Sequence, residues 1–124
     1  MKRLFVVVVA AILTACSTNT VICGNTTVTV DGARVVSSAC EGNEISIQLE
    51  SERTSLDLFY ADETIFWTPP EGYSCNIYCG GKEGSGAILN PVEERGFVRA
   101  SGFSSYTMNC IDSQGVVIKA ITTP

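Results

Sequence analysis

The chain has 124 residues, with eight basic and thirteen acidic side chains and no histidine, and its formal net charge is −5. This acidic balance disfavours nucleic acid as a ligand, because a phosphate backbone is bound through Lys and Arg. The absence of histidine removes the commonest general base and the commonest metal ligand. The composition therefore predicts a protein without enzymatic activity, cofactor or metal, and its length allows one compact domain.

The first sixteen residues have the pattern of an export signal. A basic start, Lys2-Arg3, precedes an apolar run over residues 4–13. This run is too short for a membrane-spanning helix, which needs roughly 20 residues. The sequence Leu13-Thr14-Ala15-Cys16 that closes it resembles the lipobox of bacterial lipoproteins. The resemblance implies cleavage of a signal peptide over residues 1–15 and acylation of Cys16.

The same resemblance implies a location for the mature chain. Ser17, and not Asp, follows the acylated position, which in enteric bacteria is the sorting pattern for the outer membrane. We therefore expect a lipid-anchored protein on the periplasmic face of the outer membrane, with residues 16–20 as a lipidated tether and residues 21–124 as a single β domain. Without the leader, six basic and thirteen acidic residues remain, a net charge of about −7.

Six cysteines in an exported chain of this size predict disulfides and not a zinc site. The periplasm is oxidising, and Cys75 and Cys79 do not have the CxxC spacing of zinc ligands. If Cys16 is acylated, five cysteines remain. One thiol is then left without a partner inside the chain.

The first β signal is Asp31-Gly32, which lies between alternating β-forming residues over positions 28–35. Asp-Gly in this setting is typical of a hairpin with a two-residue type I′ turn. In the resulting register, Cys23 lies opposite Cys40 in a non-hydrogen-bonded pair, where Cα atoms are about 4.5 Å apart. That separation is within disulfide range, so the sequence predicts a Cys23–Cys40 bridge.

The next segments also alternate with period two. Residues 44–50 place Ile45, Ile47 and Leu49 on one face, as expected for a strand with one face in the core. Residues 56–60 and 65–68 predict a second hairpin around residues 61–64, which ends at Pro69-Pro70.

The segment 73–79 predicts a strand with Cys75 and Cys79 on the same face. Four residues apart on a strand, these cysteines are roughly 13 Å apart and cannot bridge each other. One of them should pair with Cys110, in a strand over residues 106–111; we expect Cys79, with Cys75 as the alternative.

Residues 80–86 are rich in glycine and predict a loop, and residues 116–121 predict a closing strand. No segment has the periodicity of a helix. The predicted fold is therefore all-β, a small disulfide-stapled antiparallel sandwich or barrel behind a cleaved signal peptide.

The aromatic residues Tyr60, Phe66, Trp67 and Tyr73 are the candidate partner-binding group. Trp and Tyr carry a large share of the binding energy at protein interfaces. The alternative is that these residues form the core of the domain. Adjacent acidic pairs such as Asp62-Glu63 are interpreted as solvated turns, because neighbouring residues of a strand point to opposite faces.

Two families supply functional hypotheses. Residues 99–106 resemble the Ser-Gly-x-x-Tyr loop of membrane-bound lysozyme inhibitors, which implies Ser101 and Tyr106 as an inhibitory pair. The architecture of lipobox, short tether and small cysteine-rich domain resembles phage superinfection-exclusion lipoproteins, which block an outer-membrane receptor. An accessory lipoprotein of an envelope complex is the third alternative. The sequence favours a non-enzymatic module that binds an outer-membrane or periplasmic protein, with blockade of a phage receptor as the leading specific hypothesis.

Overall fold

The structure, a computed structural model, describes residues 19–80 and 87–124. The predicted signal peptide, the acylation site Cys16 and the tether before residue 19 lie outside the described residues, as does most of the predicted glycine-rich loop.

Every regular element of the described residues is a strand, as the period-two alternation predicts. Ile45, Ile47 and Leu49 are buried, while the residues between them are exposed. The eleven strands are β1 (Thr20–Cys23), β2 (Thr26–Asp31), β3 (Val35–Glu41), β4 (Glu44–Leu49), β5 (Arg53–Ala61), β6 (Thr64–Thr68), β7 (Ser74–Cys79), β8 (Ala87–Val92), β9 (Gly96–Arg99), β10 (Tyr106–Ile111) and β11 (Val117–Thr122).

The strands form two antiparallel sheets. The larger sheet has the order β1-β2-β11-β10-β7-β8, and the smaller sheet has the order β3-β4-β5-β6-β9. The buried side chains of both sheets form one apolar cluster. Thr26 of the larger sheet also donates a hydrogen bond to the Leu58 carbonyl of the smaller sheet, at 3.3 Å. The all-β prediction is confirmed in its sandwich form.

The predicted hairpin at Asp31-Gly32 is wrong, because β2 and β3 belong to different sheets. The turn at Gly24-Asn25 pairs β2 with β1, and β11 pairs with the other side of β2. No edge of β2 is therefore left for β3. Gly32 has a φ of 83°, but Asp31 has no positive φ, whereas a type I′ turn needs both.

The Cys23–Cys40 disulfide is nevertheless confirmed, with a Cα–Cα distance of 5.7 Å. It joins β1 and β3, which are edge strands of the two sheets. The bridge therefore links the two sheets and does not join two strands of one hairpin. On the chain-entropy model, closing a loop of this length contributes about 3 kcal/mol to stability.

The second predicted hairpin is confirmed as β5 and β6, with Ala61 opposite Thr64. Asp62 and Glu63 have φ values of 52° and 56°, so the two-residue turn with positive φ at both positions is found here. These residues are not glycines, and the left-handed conformation costs roughly 1–2 kcal/mol each. The long run of pairs from Ala61 to Asp57 on β5 holds the turn closed.

The prediction that Cys79 pairs with Cys110 is wrong, because Cys110 bonds to Cys75 with a Cα–Cα distance of 4.0 Å. Cys75 and Cys79 do share the inward face of β7, so alternation does not distinguish them. The register of β10 against β7 decides: it places Cys110 opposite Cys75 and Tyr106 opposite Cys79. Cys79 is a buried free thiol, and burial raises its pKa.

Candidate functional site

The structure separates the four aromatic residues predicted to bind a partner. Trp67 and Tyr73 are only 4% and 3% exposed and belong to the core, so the prediction is wrong for them. Tyr60 lies on the inward face of β5 and stacks on Tyr106, with ring centroids 4.8 Å apart. Only Phe66 points outward. The reason is the alternation of β6, in which Ile65 and Trp67 share the core face.

Phe66 is the middle member of an aromatic ladder on the outer face of the smaller sheet. We define the ladder as Phe59 on β5, Phe66 on β6 and Phe97 on β9, which lie directly opposite one another across the strands. The Phe59 and Phe66 rings are stacked at 4.8 Å between centroids, and the Phe66 and Phe97 rings are 5.9 Å apart. Phe97 is 70% exposed, the largest value among the exposed large apolar residues.

Among the described strands, β9 pairs only with β6, so the ladder ends at the edge of the smaller sheet. The Ala100 N–H donates to the Glu63 carbonyl at 2.9 Å. Because main-chain groups alternate in direction along a strand, Val98 and Gly96 also pair with β6. The N–H and C=O groups of Phe97 and Arg99 therefore point away from the sheet.

Trp67 positions this edge from the core side of the sheet. Its indole Nε1 donates to the Glu94 carbonyl at 2.9 Å. A Cβ atom at Gly96 would lie 2.7 Å from Trp67 Cζ2, which is closer than atoms can pack. Position 96 therefore requires glycine because the chain lies directly on the rigid indole ring. The tryptophan acts as a positioning residue for β9, and it also contributes to the lining of the groove beside the ladder.

A shallow groove of about 320 Å³ lies along the ladder, with Asp57, Thr68 and Arg95 at its polar rim. Burial raises the pKa of Asp57, and its hydrogen bond with Thr68 opposes the shift. Exposed aromatic rings with a few polar groups around them are suited to binding, because the rings bury apolar area and the rim fixes orientation.

The lysozyme-inhibitor hypothesis requires Ser101 and Tyr106 to lie on one exposed surface, and they do not. Ser101 is exposed, but Tyr106 is buried on the inward face of β10. Burial and the neighbouring Tyr60 raise the pKa of Tyr106 to about 12. Ser101 and Tyr106 therefore share no exposed surface. Among residues 19–80 and 87–124, no group of three or more Cys, Asp and Glu side chains could hold a metal ion.

Sequence reasoning missed Gly96 and Phe97, the residues that complete the site. A usable signal was the alternation of residues 96–99, which places Phe97 on the face opposite Val98. What the alternation cannot show is that β9 pairs with β6 and thereby places Phe97 beside Phe66.

The part of the chain that the structure describes includes no apolar helix of membrane-spanning length. Comparisons with protein-family models, with curated proteins and with solved structures found no match. The function therefore has to be inferred from the residues and geometry of the chain itself.

Proposed function

We propose that this protein is a non-enzymatic binding module, held by an acylated Cys16 on the periplasmic face of the outer membrane, which binds an envelope protein through the aromatic ladder. The observation that carries the proposal is the exposure of Phe97 beside Phe66 and Phe59. Exposed apolar patches of this kind mark interaction sites more often than isolated apolar residues do.

Two disulfides support the proposed compartment. The bonds Cys23–Cys40 and Cys75–Cys110 are typical of an oxidising environment such as the periplasm. The one remaining cysteine of the described residues, Cys79, is buried, and burial raises its pKa. It therefore stays a protonated thiol, poorly suited to exchange with a partner.

The geometry keeps the ladder away from the proposed anchor. Asn19 follows Cys16 by three residues, a reach of about 10 Å. The Asn19 side chain accepts a hydrogen bond from the Val35 N–H at 3.3 Å, which fixes this point at the start of β3. Strand β9 is four strand positions across the smaller sheet, about 19 Å away. An anchored chain would thus offer the ladder to a neighbour in the same membrane.

The specific role that we propose first is blockade of an outer-membrane receptor used by a phage. Anchoring raises the local concentration of the module beside a membrane partner, so that a small interface suffices to occupy it. A groove of the size found along the ladder fits this mode of action.

Photo-crosslinking in intact cells tests the proposal. A photoreactive phenylalanine analogue replaces Phe97 in the full-length protein, or replaces Ile111, which is 51% exposed and lies in the larger sheet, as the matched control. We expect crosslinks to an outer-membrane protein from position 97 only, and loss of these crosslinks on Cys16→Ala. Equal crosslinking from both positions, or none from position 97, would contradict the proposal.

Phage infection of producing cells tests the blockade of an outer-membrane receptor separately. Cells that produce the full-length protein should resist the phages that use the crosslinked receptor, and Phe97→Ser should restore infection. Ile111→Ser should leave resistance unchanged. Full resistance with Phe97→Ser at equal protein abundance would remove the ladder from the mechanism.

A further inference from the structure

The edge of β9 carries main-chain groups that no strand of residues 19–80 and 87–124 pairs with. Phe97 and Arg99 direct their N–H and C=O groups outward, as the Ala100–Glu63 hydrogen bond requires. Two such residues, two positions apart in sequence, are what a further strand pairs with in strand addition. β9 has no proline that would block this pairing.

Side chains on β9 and at Arg95, just before it, make this edge selective. Arg95 and Phe97 line the groove, and Arg99 lies two residues further on the same face. Arg99 is paired with Glu63 at 3.2 Å, but both side chains are largely exposed, so this pair can exchange partners readily. Arg95 has no ion pair within the described residues.

We infer that β9 accepts an extended segment of the partner as an added strand of the smaller sheet, and that this segment carries an apolar side chain beside Phe97 with a carboxylate two residues to each side. The carboxylates would lie beside Arg95 and Arg99, where opposite charges on neighbouring strands attract. The exposed Glu93 and Glu94 lie just before Arg95 and would repel a partner carboxylate placed beside them. The spacing of the carboxylates in the partner segment therefore matters. This inference rests on the proposed function and deepens it.

A second copy of this chain fits the edge less well. Two-fold pairing centred on Phe97 places Arg95 opposite Arg99 of the other copy, and like charges directly opposite are destabilising. Pairing centred on Val98 avoids this clash, but two copies with a charge of about −7 each repel. The charge pattern therefore favours a different chain with acidic residues at the stated spacing.

Peptide binding to the detergent-solubilised full-length protein tests the inference by fluorescence anisotropy. The probe is a labelled Thr-Glu-Thr-Phe-Thr-Glu-Thr peptide, and the matched control is Thr-Lys-Thr-Phe-Thr-Lys-Thr. We expect the acidic peptide to bind at least tenfold more tightly, and Arg95→Glu to remove most of this preference. Equal binding of both peptides would overturn the predicted acidic pattern.

The strand-addition step needs a variant that alters only the outward main-chain group. Arg99→Pro and Arg99→Ala both remove the guanidinium, but only the proline removes the outward N–H, which edge strands tolerate. We expect Arg99→Pro to weaken binding of the acidic peptide at least fivefold relative to Arg99→Ala, with thermal unfolding used to show that both variants fold. If Arg99→Pro does not fold, a probe peptide N-methylated at its phenylalanine amide replaces it, with the same loss expected.

Other outcomes separate this inference from the proposed function. If the analogue at position 97 crosslinks a partner in cells but Arg99→Pro binds the acidic peptide like Arg99→Ala, the ladder binds a partner and strand addition is wrong. If the full-length protein is a dimer that Arg99→Pro converts to a monomer, the occupant is a second copy and the inference of an acidic segment is wrong. If the analogue at position 97 gives no crosslink to an outer-membrane protein, the proposed function fails as well.

Discussion

The outer face of the smaller sheet has two halves that differ in chemistry. Toward β3, Ser46 and Ser55 face each other across β4 and β5, with their hydroxyl oxygens 3.4 Å apart. The Ser37 hydroxyl donates a hydrogen bond to the Gln48 side chain. Toward β9, the same face carries the aromatic ladder. Strand β5 contributes to both halves and buries its inward residues in both. The fold therefore accepts a polar outer face, and the aromatic ladder is not required to build the sheet.

The two edges of that sheet are also secured differently. Strand β3 is tied to β1 by the Cys23–Cys40 bond, whereas β9 rests on the Trp67 indole through Gly96. One edge is closed covalently, and the other is held by packing, by the Trp67–Glu94 hydrogen bond and by pairing with β6. The packed edge is the one that carries the exposed ring of Phe97, so the support of the proposed binding strand can be altered by single substitutions.

The largest loss of stability is expected for Trp67, which packs on the core side of the aromatic half of the sheet. Trp67→Ala removes a buried ring and its hydrogen bond to the Glu94 carbonyl, and should lower the free energy of unfolding by about 3–5 kcal/mol. Urea denaturation measures this change. Ser46→Ala in the polar half is the control and should change stability by less than about 0.5 kcal/mol. A loss below about 1 kcal/mol for Trp67→Ala would show that the indole does not support the edge.

A smaller loss is expected from adding one methyl group at the same contact. Gly96→Ala places Cβ against the rigid indole and should cost about 1–3 kcal/mol, because the core is overpacked. In a Trp67→Phe background the smaller ring leaves room, so the cost of Gly96→Ala should fall. A double-mutant cycle measures this coupling. Strictly additive effects would mean that the two residues do not pack as described.

Alkaline pH provides a third test. It concerns the buried Tyr106, whose ring stacks on Tyr60 of β5. Burial raises the pKa of Tyr106 to about 12 from an ordinary value of 10.0. Between these values the unfolded chain has lost the proton and the folded chain retains it. Stability contributed by Tyr106 is therefore complete below about pH 10 and falls as pH rises toward 12.

Urea denaturation at several pH values measures this decline, and Tyr106→Phe should reduce it between pH 10 and 12. A residual decline is expected from Tyr73, whose pKa burial also raises from an ordinary value of 10.0. Cys79→Ala controls for the thiol, whose raised pKa has the same sign but an ordinary value of 9.0. A decline that Tyr106→Phe leaves unchanged would assign the pH dependence to other groups.

The smallest stability effect is expected at the exposed end of the ladder. Phe97→Ser should change the free energy of unfolding by less than about 0.5 kcal/mol, because the ring is 70% exposed. Phe66→Ser, at the half-buried middle position, should cost more in the same urea denaturation experiment. If Phe97→Ser destabilised the fold as much as Phe66→Ser does, the ladder would be structural and not a binding surface.

The sequence by itself determined the all-β class, through the alternation of segments such as residues 44–50. It also predicted the β5–β6 hairpin and the Cys23–Cys40 bond, although the bond followed from a hairpin that does not form. Alternation shows which residues share a face because side chains of a strand point to opposite sides in turn. It does not show which strands are neighbours or in which register they pair.

Those two questions were decided by the tertiary structure. Pairing of β2 with β1 and β11 sent β3 to the other sheet, and the register of β10 selected Cys75 over Cys79. Pairing of β9 with β6 placed Phe97 beside Phe66 and Gly96 on Trp67. Each outcome depends on hydrogen bonds between segments far apart in the chain, and a local pattern carries no information about which distant edge a strand will meet.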